Sequence, residues 1–231
     1  MNGTAPERAT AELGWAEMEP AQPGPGEELN TGAVTTPRLA ASVIVLRGDD
    51  RALEVLLVQR NPASRFMGGA WVFPGGAVDA SDGEGEAALR AAGVREVAEE
   101  AGIALADPDA LVPYSRWITP KVVKIRFDTW FFLSPVPHET APRIDGGECV
   151  DWRWSTPQAA LDAYAAGQLQ LVFPTIKHLE QLAAFAHADA LLAHARAQRV
   201  EPVEPRVVLE GEVARVLLPG DPGYDAVEAP A

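Results

Sequence analysis

The stretch from Phe73 to Ile103 constrains the fold of this chain more than any other part of its sequence. It opens with two adjacent glycines, Gly75 and Gly76, which allow a turn and a close approach of the backbone to a neighbour. A polar loop follows, and then helix-forming residues run from Ala87 to Ala101. Gly102 is suited to end that helix in the left-handed conformation. The stretch therefore predicts a glycine turn, a loop and one well-terminated helix.

The predicted helix has one acidic side. Ser81 and Asp82 are its expected N-cap residues, and Glu96, Glu99 and Glu100 share one stripe at about 100° per residue. The opposite, apolar side is expected to carry Ala87, Ala91, Val94, Val97, Ala98 and Ala101. Like charges one turn apart near a helix C-terminus are unfavourable. A bound hard divalent cation would offset them; the alternative is a solvated acidic face.

The second half of this stretch, residues 95–103 with the sequence REVAEEAGI, resembles the Nudix box, which is the signature of the Nudix hydrolases. It matches at every fixed position. The first half departs, because Ala87 stands where a glutamate is usual and the loop after the glycines is longer than usual. Glu84 and Glu86 are the nearest substitutes. The resemblance implies an α/β fold, the Nudix α/β/α sandwich with a mixed β-sheet, over about residues 40–182.

The resemblance also implies a set of catalytic residues. Glu96, Glu99 and Glu100 would hold one to three Mg²⁺ or Mn²⁺ ions against a diphosphate, and water would attack phosphorus. Arg95 would orient the glutamates by pairing with one of them. Glu148 is the candidate general base or additional metal ligand, since the family often places an acid on the corresponding loop. The alternative for Glu148 is an ordinary solvated glutamate.

A second resemblance concerns the region before the box. Its residues have the spacing of a motif found in coenzyme A-cleaving Nudix enzymes: Leu56 to Arg60, Arg65, Gly69 and Phe73 to Gly76. Val58 stands where threonine is usual, and Asn61 where serine or alanine is usual. Arg60 and Arg65 would supply forked guanidinium donors to phosphate oxygens. Two surface arginines at a strand end are the alternative.

Two further segments, residues 117–120 and 126–129, look similar to a Nudix subgroup associated with CoA and acyl-CoA diphosphatases. Between them, Lys121, Lys124 and Arg126 form a short basic run that could meet the 3′-phosphate of CoA. A solvated edge-strand face is an equal alternative. The implied substrate-binding set is therefore Arg60, Arg65, Gly75, Gly76, Lys124 and Arg126.

These resemblances imply hydrolysis of the diphosphate bond of CoA or acyl-CoA to 3′,5′-ADP and a phosphopantetheine product. Two alternatives stay open. One is hydrolysis of ADP-ribose or another nucleoside-diphosphate-linked substrate. The other, from a different class, is a nucleotide-binding module in which the altered first half of the box has silenced catalysis.

The chain is expected to have three parts. Residues 1–37 lack periodicity and are predicted to be a disordered tail, residues 38–199 form the Nudix domain, and residues 200–231 form a hairpin and tail. Strands are predicted over residues 40–46, 53–60, 70–73, 112–120, 122–133 and 150–154, and helices over 87–101, 157–167 and 174–199.

Charge and composition limit the partners. A net charge of −14 argues against binding to nucleic acid or to anionic membranes. The sequence contains no run of eighteen apolar residues, so it predicts no membrane span. Cys149 is the only cysteine, which excludes an intrachain disulfide and a cysteine-based zinc cluster. We expect a cytoplasmic protein acting on a small-molecule diphosphate. Dimers are common in this fold, so a homodimer stays open, although no residue identifies an interface.

Overall fold

A computed structural model describes residues 30–48, 52–64, 66–144, 146–210 and 213–227. Most of the predicted N-terminal tail and the predicted phosphate ligand Arg65 lie outside these ranges. The described end of the tail contacts the domain. The Asn30 N–H donates to the Val122 carbonyl at 2.7 Å, and the Thr35 hydroxyl donates to the Lys124 carbonyl at 3.0 Å.

The main feature of the structure is a mixed β-sheet of eight strands. Its strands are β1 (Arg38–Arg47), β2 (Glu54–Arg60), β3 (Trp71–Val72), β4 (Gly75–Ala77), β5 (Val112–Ile118), β6 (Phe127–Pro135), β7 (Cys149–Ser155) and β8 (Pro202–Val203). The order is β3-β2-β1-β6-β5-β8, with β4 paired to β1 and β7 paired to β2. The β1–β6 and β5–β8 pairs are parallel and the others antiparallel.

Helices cover both faces of this sheet. Helix α1 (Gly85–Ala101) packs on one face, and helices α2 (Pro157–Ala165), α3 (Phe173–Leu182) and α4 (Ala188–Ala197) pack on the other. Alternate residues of β1 divide between the two cores: Ala41, Val43 and Val45 face α1, whereas Ile44 and Leu46 face the other helices. This period of two confirms the predicted α/β/α sandwich.

The prediction of one helix over residues 174–199 is wrong, because two helices are separated by residues 183–187. The Ala186 carbonyl in the break accepts a hydrogen bond from the Leu53 N–H at 3.0 Å. No proline or glycine marks this position in the sequence. The break is a tertiary effect, since it satisfies a backbone donor of the segment leading into β2.

The strand predicted over residues 122–133 begins only at Phe127. Before it the chain turns, with the Val123 N–H donating to the Pro120 carbonyl at 3.0 Å. Lys121 and Lys124 therefore lie on the connection between β5 and β6 and not on an edge strand. The antiparallel pairing of these two strands requires that turn.

The C-terminal hairpin is confirmed as β9 (Arg206–Glu210) paired to β10 (Val213–Leu217). The main sheet also continues past residue 199, because β8 pairs with β5. Within the part of the chain that the structure describes, no helix is long and apolar enough to span a bilayer.

One histidine is a core residue. His178 in α3 has 0% exposure, and its Nε2 lies 2.6 Å from the Ser115 hydroxyl oxygen. The rings of Phe131 and Trp117 lie 4.2 and 5.5 Å from its centroid. Burial lowers the pKa of His178 to about 3, so the ring is neutral at physiological pH.

Candidate active site

Helix α1 carries the three predicted metal-ligand glutamates, and its two ends differ in how well they were predicted. Its C-terminus is as predicted: Gly102 has φ 62°, and the Gly102 and Ile103 N–H groups close the last turn on carbonyls of α1. Its N-terminus differs, because Glu84 is the N-cap. The two residues predicted to cap the helix lie instead in a separate 3₁₀ turn, Ala80–Asp82.

The predicted division of α1 into an acidic side and an apolar side is wrong. Ala87 and Ala98 are exposed, whereas Glu96 and Glu100 are only 8% and 3% exposed. The buried face consists of Ala88, Leu89, Ala92, Gly93, Glu96, Val97, Glu100 and Ala101. Only the Glu99 side chain, 59% exposed, faces solvent. A solvated acidic face is therefore contradicted for two of the three glutamates.

The paired glycines of β4 make room for these two buried carboxylates. The Gly75 N–H donates to Glu100 Oε2 at 2.9 Å. A Cβ at Gly76 would overlap the Glu96 carboxylate, and one at Gly75 would lie 2.5 Å from the Ala41 carbonyl oxygen. Gly76 therefore leaves room for the Glu96 carboxylate of α1, and Gly75 allows the close approach of β4 to β1. That they also admit the substrate stays a prediction.

Arg95 connects three acidic side chains. Its Nη1 donates to Glu96 Oε1 at 2.7 Å and to Glu99 Oε2 at 3.1 Å. Its Nε and Nη2 donate to the two Asp82 oxygens at 3.0 and 2.9 Å. Nη2 also donates to the Ala77 carbonyl at 3.0 Å. Arg95 is therefore hydrogen-bonded to two of the three predicted metal-ligand glutamates, while its role in orienting them for a metal stays a prediction.

Asp82 is the residue that the sequence reasoning missed in this role. Neither of the expected substitutes contacts Arg95 in the structure: Glu84 caps α1, and Glu86 pairs with Arg90 at 3.0 Å. The only signal for Asp82 was its place on the lengthened loop, because its distance along the chain from Arg95 does not match the family spacing.

Electrostatics distinguish these acidic groups. Burial raises the pKa of Glu96, and it raises the pKa of Glu100 to about 7. Hydrogen bonds from Arg95 lower the pKa of Asp82. Two buried carboxylates with raised pKa values beside an ionised pair are typical of a functional site. A cation bound to Glu96 and Glu100 would favour their charged forms.

Arg60 at the end of β2 reaches this cluster. Its Nη1 lies 3.5 Å from Glu100 Oε1, and its Nε donates to the Phe66 carbonyl at 3.3 Å. One predicted phosphate ligand is therefore beside a predicted metal ligand. Arg65, its expected companion, lies outside the described residues.

Cys149 also contacts Glu100. The side chain is 1% exposed, and its thiol is hydrogen-bonded to the Glu100 carboxylate. Burial raises the pKa of the Cys149 thiol to about 12, so the sulfur keeps its proton and donates it.

Glu148 is exposed and precedes β7. Its loop is fixed to the end of β2, because the Asn61 N–H donates to the Glu148 carbonyl and Asn61 Nδ2 donates to the Gly147 carbonyl, both at 2.8 Å. The charge of Glu148 contributes to raising the pKa of Glu96. The two carboxylates are therefore near enough to interact, while the role of Glu148 as a base stays a prediction.

Arg126, a predicted phosphate ligand, lies inside the protein. It is 6% exposed, and its Nη2 pairs with Glu204 at 2.8 Å. Its Nη1 and Nε donate to the carbonyls of Thr35 and Thr119 at 2.7 and 2.9 Å. All three guanidinium nitrogens are engaged within the protein, so this residue has a structural role. Lys124 is exposed on the preceding turn.

The carboxylates suit a metal ion by their donor chemistry, although they do not form a preformed cluster. Among the residues placed by the structure, no three histidine, cysteine or acidic side chains form a ready-made metal cluster. Glu99 and Glu96 are turned towards Arg95, and Glu100 towards Gly75. The donor set is nevertheless two buried carboxylates beside one exposed carboxylate, and oxygen donors of this kind suit a hard divalent cation such as Mg²⁺ or Mn²⁺.

The carboxylates and Arg95 lie near one end of α1 in an α/β/α sandwich, and comparison with known proteins gives the class. The family model of the NUDIX domain matches residues 36–174, more than half of the chain. The chain therefore belongs to the Nudix family, and it is a Nudix pyrophosphohydrolase. Nudix hydrolases generally use divalent metal ions and act on small-molecule diphosphates.

Individual relatives agree with this class. The chain is 26% identical to "Putative nudix hydrolase 7" of Caenorhabditis elegans, over 84% of this chain and 77% of the relative. It is 24% identical to the human acyl-coenzyme A diphosphatase NUDT19, over 81% and 80% of the two chains. The crystal structure of a NUDIX hydrolase from Alicyclobacillus acidocaldarius superposes with a TM-score of 0.63 and 30% identity, covering 70% of this chain and 97% of that one.

Proposed function

We propose that this protein is a metal-dependent hydrolase that cleaves the diphosphate bond of CoA or acyl-CoA to 3′,5′-ADP and (acyl-)phosphopantetheine. The observation that carries the proposal is the position of Arg60, 3.5 Å from the buried carboxylate of Glu100. The first arginine of the CoA-type motif is therefore next to the carboxylates of the Nudix box. The similarity to an acyl-coenzyme A diphosphatase supports the same substrate class.

In this proposal Glu96, Glu99 and Glu100 hold the metal. A bound Mg²⁺ or Mn²⁺ supplies charge neutralisation for the diphosphate and acidifies water. Arg95 keeps Glu96 and Glu99 oriented through its hydrogen bonds to both. Glu148, exposed on the neighbouring loop, is the proposed acceptor of the proton from water.

Substrate contacts are proposed beside the carboxylates. Arg60 and Arg65 bind phosphate oxygens through forked donors, and the backbone at Gly75 and Gly76 approaches the diphosphate. Lys124, on the exposed turn before β6, is retained as a phosphate contact.

Hydrolysis of ADP-ribose or another nucleoside-diphosphate-linked compound is the second candidate. It would use the same metal site and the same arginines. The observation in its favour is the engagement of Arg126 inside the protein, because the predicted basic run then offers fewer charges to a 3′-phosphate.

A panel of diphosphates tests the substrate. Cleavage is measured with Mg²⁺ or Mn²⁺ on CoA, dephospho-CoA, acetyl-CoA, a long-chain acyl-CoA, ADP-ribose and NADH. Faster turnover of CoA compounds than of dephospho-CoA is the expected result. Preference for ADP-ribose or NADH would keep the Nudix chemistry and reject CoA.

The substitution Glu99→Gln separates an enzyme from a binding module. It removes one metal-ligand charge at an exposed position, so we expect turnover to be abolished while nucleotide binding is largely kept. Glu180→Gln is the matched control, because Glu180 is exposed on α3 and pairs only with Lys177 among the contacts described. Wild-type protein that binds nucleotides but cleaves none of the panel would be a binding module.

We also propose a cytoplasmic location, because a single buried thiol without a partner cysteine suits a reducing compartment. Fractionation of cells that produce the full-length chain would test this.

A further inference from the structure

We propose that the aromatic pair Phe66 and Phe127 is the nucleobase-binding site of this enzyme, on which the purine ring of the substrate stacks. The inference rests on the proposed function only in requiring a nucleotide-containing diphosphate. It holds for CoA and for ADP-ribose alike, because both carry adenine.

The two rings form a contact outside both cores. Their centroids are 5.6 Å apart with an interplanar angle of 62°, and both side chains are half-buried. Neither belongs to the core cluster on either face of the sheet. Large aromatic side chains mostly contribute to cores, so a half-exposed pair at the start of β6 calls for another role.

Hydrogen bonds connect this pair to the phosphate-binding end of the site. The Phe66 carbonyl accepts from Arg60 Nε at 3.3 Å, and Arg60 Nη1 lies 3.5 Å from Glu100. The backbone of Phe66 is therefore bonded directly to the arginine that reaches Glu100, a predicted metal ligand. A nucleoside diphosphate carries its groups in a matching order. Its base would lie on the aromatic pair, and its phosphates, beyond the sugar, would lie at Arg60.

The loop that carries Phe66 is held in a tight conformation. Met67 has φ 51°, and it is the only non-glycine residue with positive φ in the described ranges. A Cβ at Gly68 would lie 2.7 Å from the carbonyl oxygens of Pro62 and Ser64. Such backbone strain persists where the surrounding structure fixes it. The contacts that hold Met67 and Gly68 in this conformation also restrict the backbone next to Phe66, which would reduce the entropic cost of binding.

The chemistry of the pair suits a purine. Every base presents a π face that stacks on aromatic side chains. The guanidinium of Arg38, an exposed residue, lies 5.9 Å from the Phe127 ring centroid, at the limit of a cation–π contact. Stacking would also allow a chain with a net charge of −14 to bind adenosine without a broad basic groove.

Calorimetry on the full chain with Mg²⁺ tests the inference. AMP, 3′,5′-ADP and ribose 5-phosphate are titrated into wild type, Phe66→Leu and Phe127→Leu. Leucine keeps apolar bulk but removes the π face, so AMP and 3′,5′-ADP should bind about five- to one-hundredfold more weakly. The affinity for ribose 5-phosphate, which has no base, should be unchanged.

Two controls keep the result interpretable. Phe185→Leu is the same change at a half-buried phenylalanine between α3 and α4 and should leave all three affinities unchanged. Phe66→Trp and Phe127→Tyr retain an aromatic ring and should restore nucleotide binding, even where a leucine variant folds poorly.

The inference is overturned if wild type binds AMP no more tightly than ribose 5-phosphate, or if both leucine variants bind AMP as wild type does. It is also overturned if the leucine variants lose ribose 5-phosphate equally. Failure of the proposed function is distinct. An enzyme that cleaves none of the CoA compounds, but loses AMP binding in the leucine variants, keeps the nucleobase site and rejects the CoA assignment.

Discussion

The carboxylate of Asp82 receives two hydrogen bonds from the guanidinium of Arg95, at 3.0 and 2.9 Å, across a lengthened loop. Two-point pairing of this kind fixes the plane of the guanidinium. The remaining nitrogen then points at Glu96 and Glu99. Asp82 thus positions the predicted metal-ligand glutamates Glu96 and Glu99 through Arg95, and Ala87 at the usual glutamate position has no such function.

Replacing Asp82 with Asn should lower kcat/KM by about 5- to 150-fold, because loss of a charge-assisted pair costs ~1–3 kcal/mol. Steady-state kinetics at varied Mg²⁺ measure the loss and any rise in the metal concentration needed. Glu86→Gln is the matched control, since Glu86 pairs with Arg90 and not with Arg95. A larger loss in the Glu86 variant would contradict the assignment.

Gly76→Ala should inactivate the enzyme while leaving the fold intact. The added methyl group would overlap the Glu96 carboxylate and force a predicted metal ligand to move. We expect at least a tenfold lower kcat/KM, which corresponds to ~1.4 kcal/mol, with a similar Tm. Gly32→Ala is the control, because the nearest atom to its Cβ is 3.7 Å away. Full activity in the Gly76 variant would show that Glu96 is not needed in its present position.

Metal activation should weaken in acid. Burial raises the pKa of Glu100 to about 7, so below that pH a proton competes with the cation for the carboxylate. The Mg²⁺ concentration for half-maximal activity should rise towards tenfold per pH unit below about 7, and it should level off above it. Activation curves at several pH values between 6 and 8.5 measure this. A constant requirement across that range would contradict a competing proton at Glu100.

The neutral, buried His178 should make the fold sensitive to acid. Its folded-state pKa of about 3 lies below the ordinary histidine value, so the unfolded chain binds the proton more readily. Stability from this group is complete above the unfolded pKa and falls as pH decreases towards the folded value, by about 1.4 kcal/mol per pH unit.

His178→Leu should remove that slope from urea unfolding measured between pH 4 and 7, although it also leaves the Ser115 hydroxyl without its partner. His194→Leu, at an exposed position on α4, should keep the slope. Equal slopes in wild type and the His178 variant would show that the ring is protonated or accessible in the folded state.

Arg126→Met should destabilise the protein without changing its choice of substrate. The substitution leaves Glu204 without its partner and two carbonyls without donors, which costs about 3 kcal/mol. Urea unfolding measures the loss, and the ratio of kcat/KM for CoA over dephospho-CoA should be unchanged. A normal stability with a lost preference for CoA would restore Arg126 as a ligand of the 3′-phosphate.

Much of the architecture could be predicted from local patterns. The strands β1 and β2, the glycine that ends α1 and the C-terminal hairpin all follow from residues close together in sequence. The predictions of secondary structure were wrong where a contact with a residue distant in sequence determines the local conformation. The helix expected over residues 174–199 breaks so that the Ala186 carbonyl can meet Leu53, and no local signal marks that contact.

The candidate site shows the same division. The sequence by itself determined which acids and arginines belong to the Nudix box, because that spacing is local to one helix and one turn. Only the tertiary structure decided that Glu96 and Glu100 are buried, that Asp82 partners Arg95 and that Arg126 is a structural residue. The physical reason is that burial and charge pairing depend on what the sheet and the loops bring together. Periodicity along the chain predicts which residues share a helix face, but it does not predict what packs against that face.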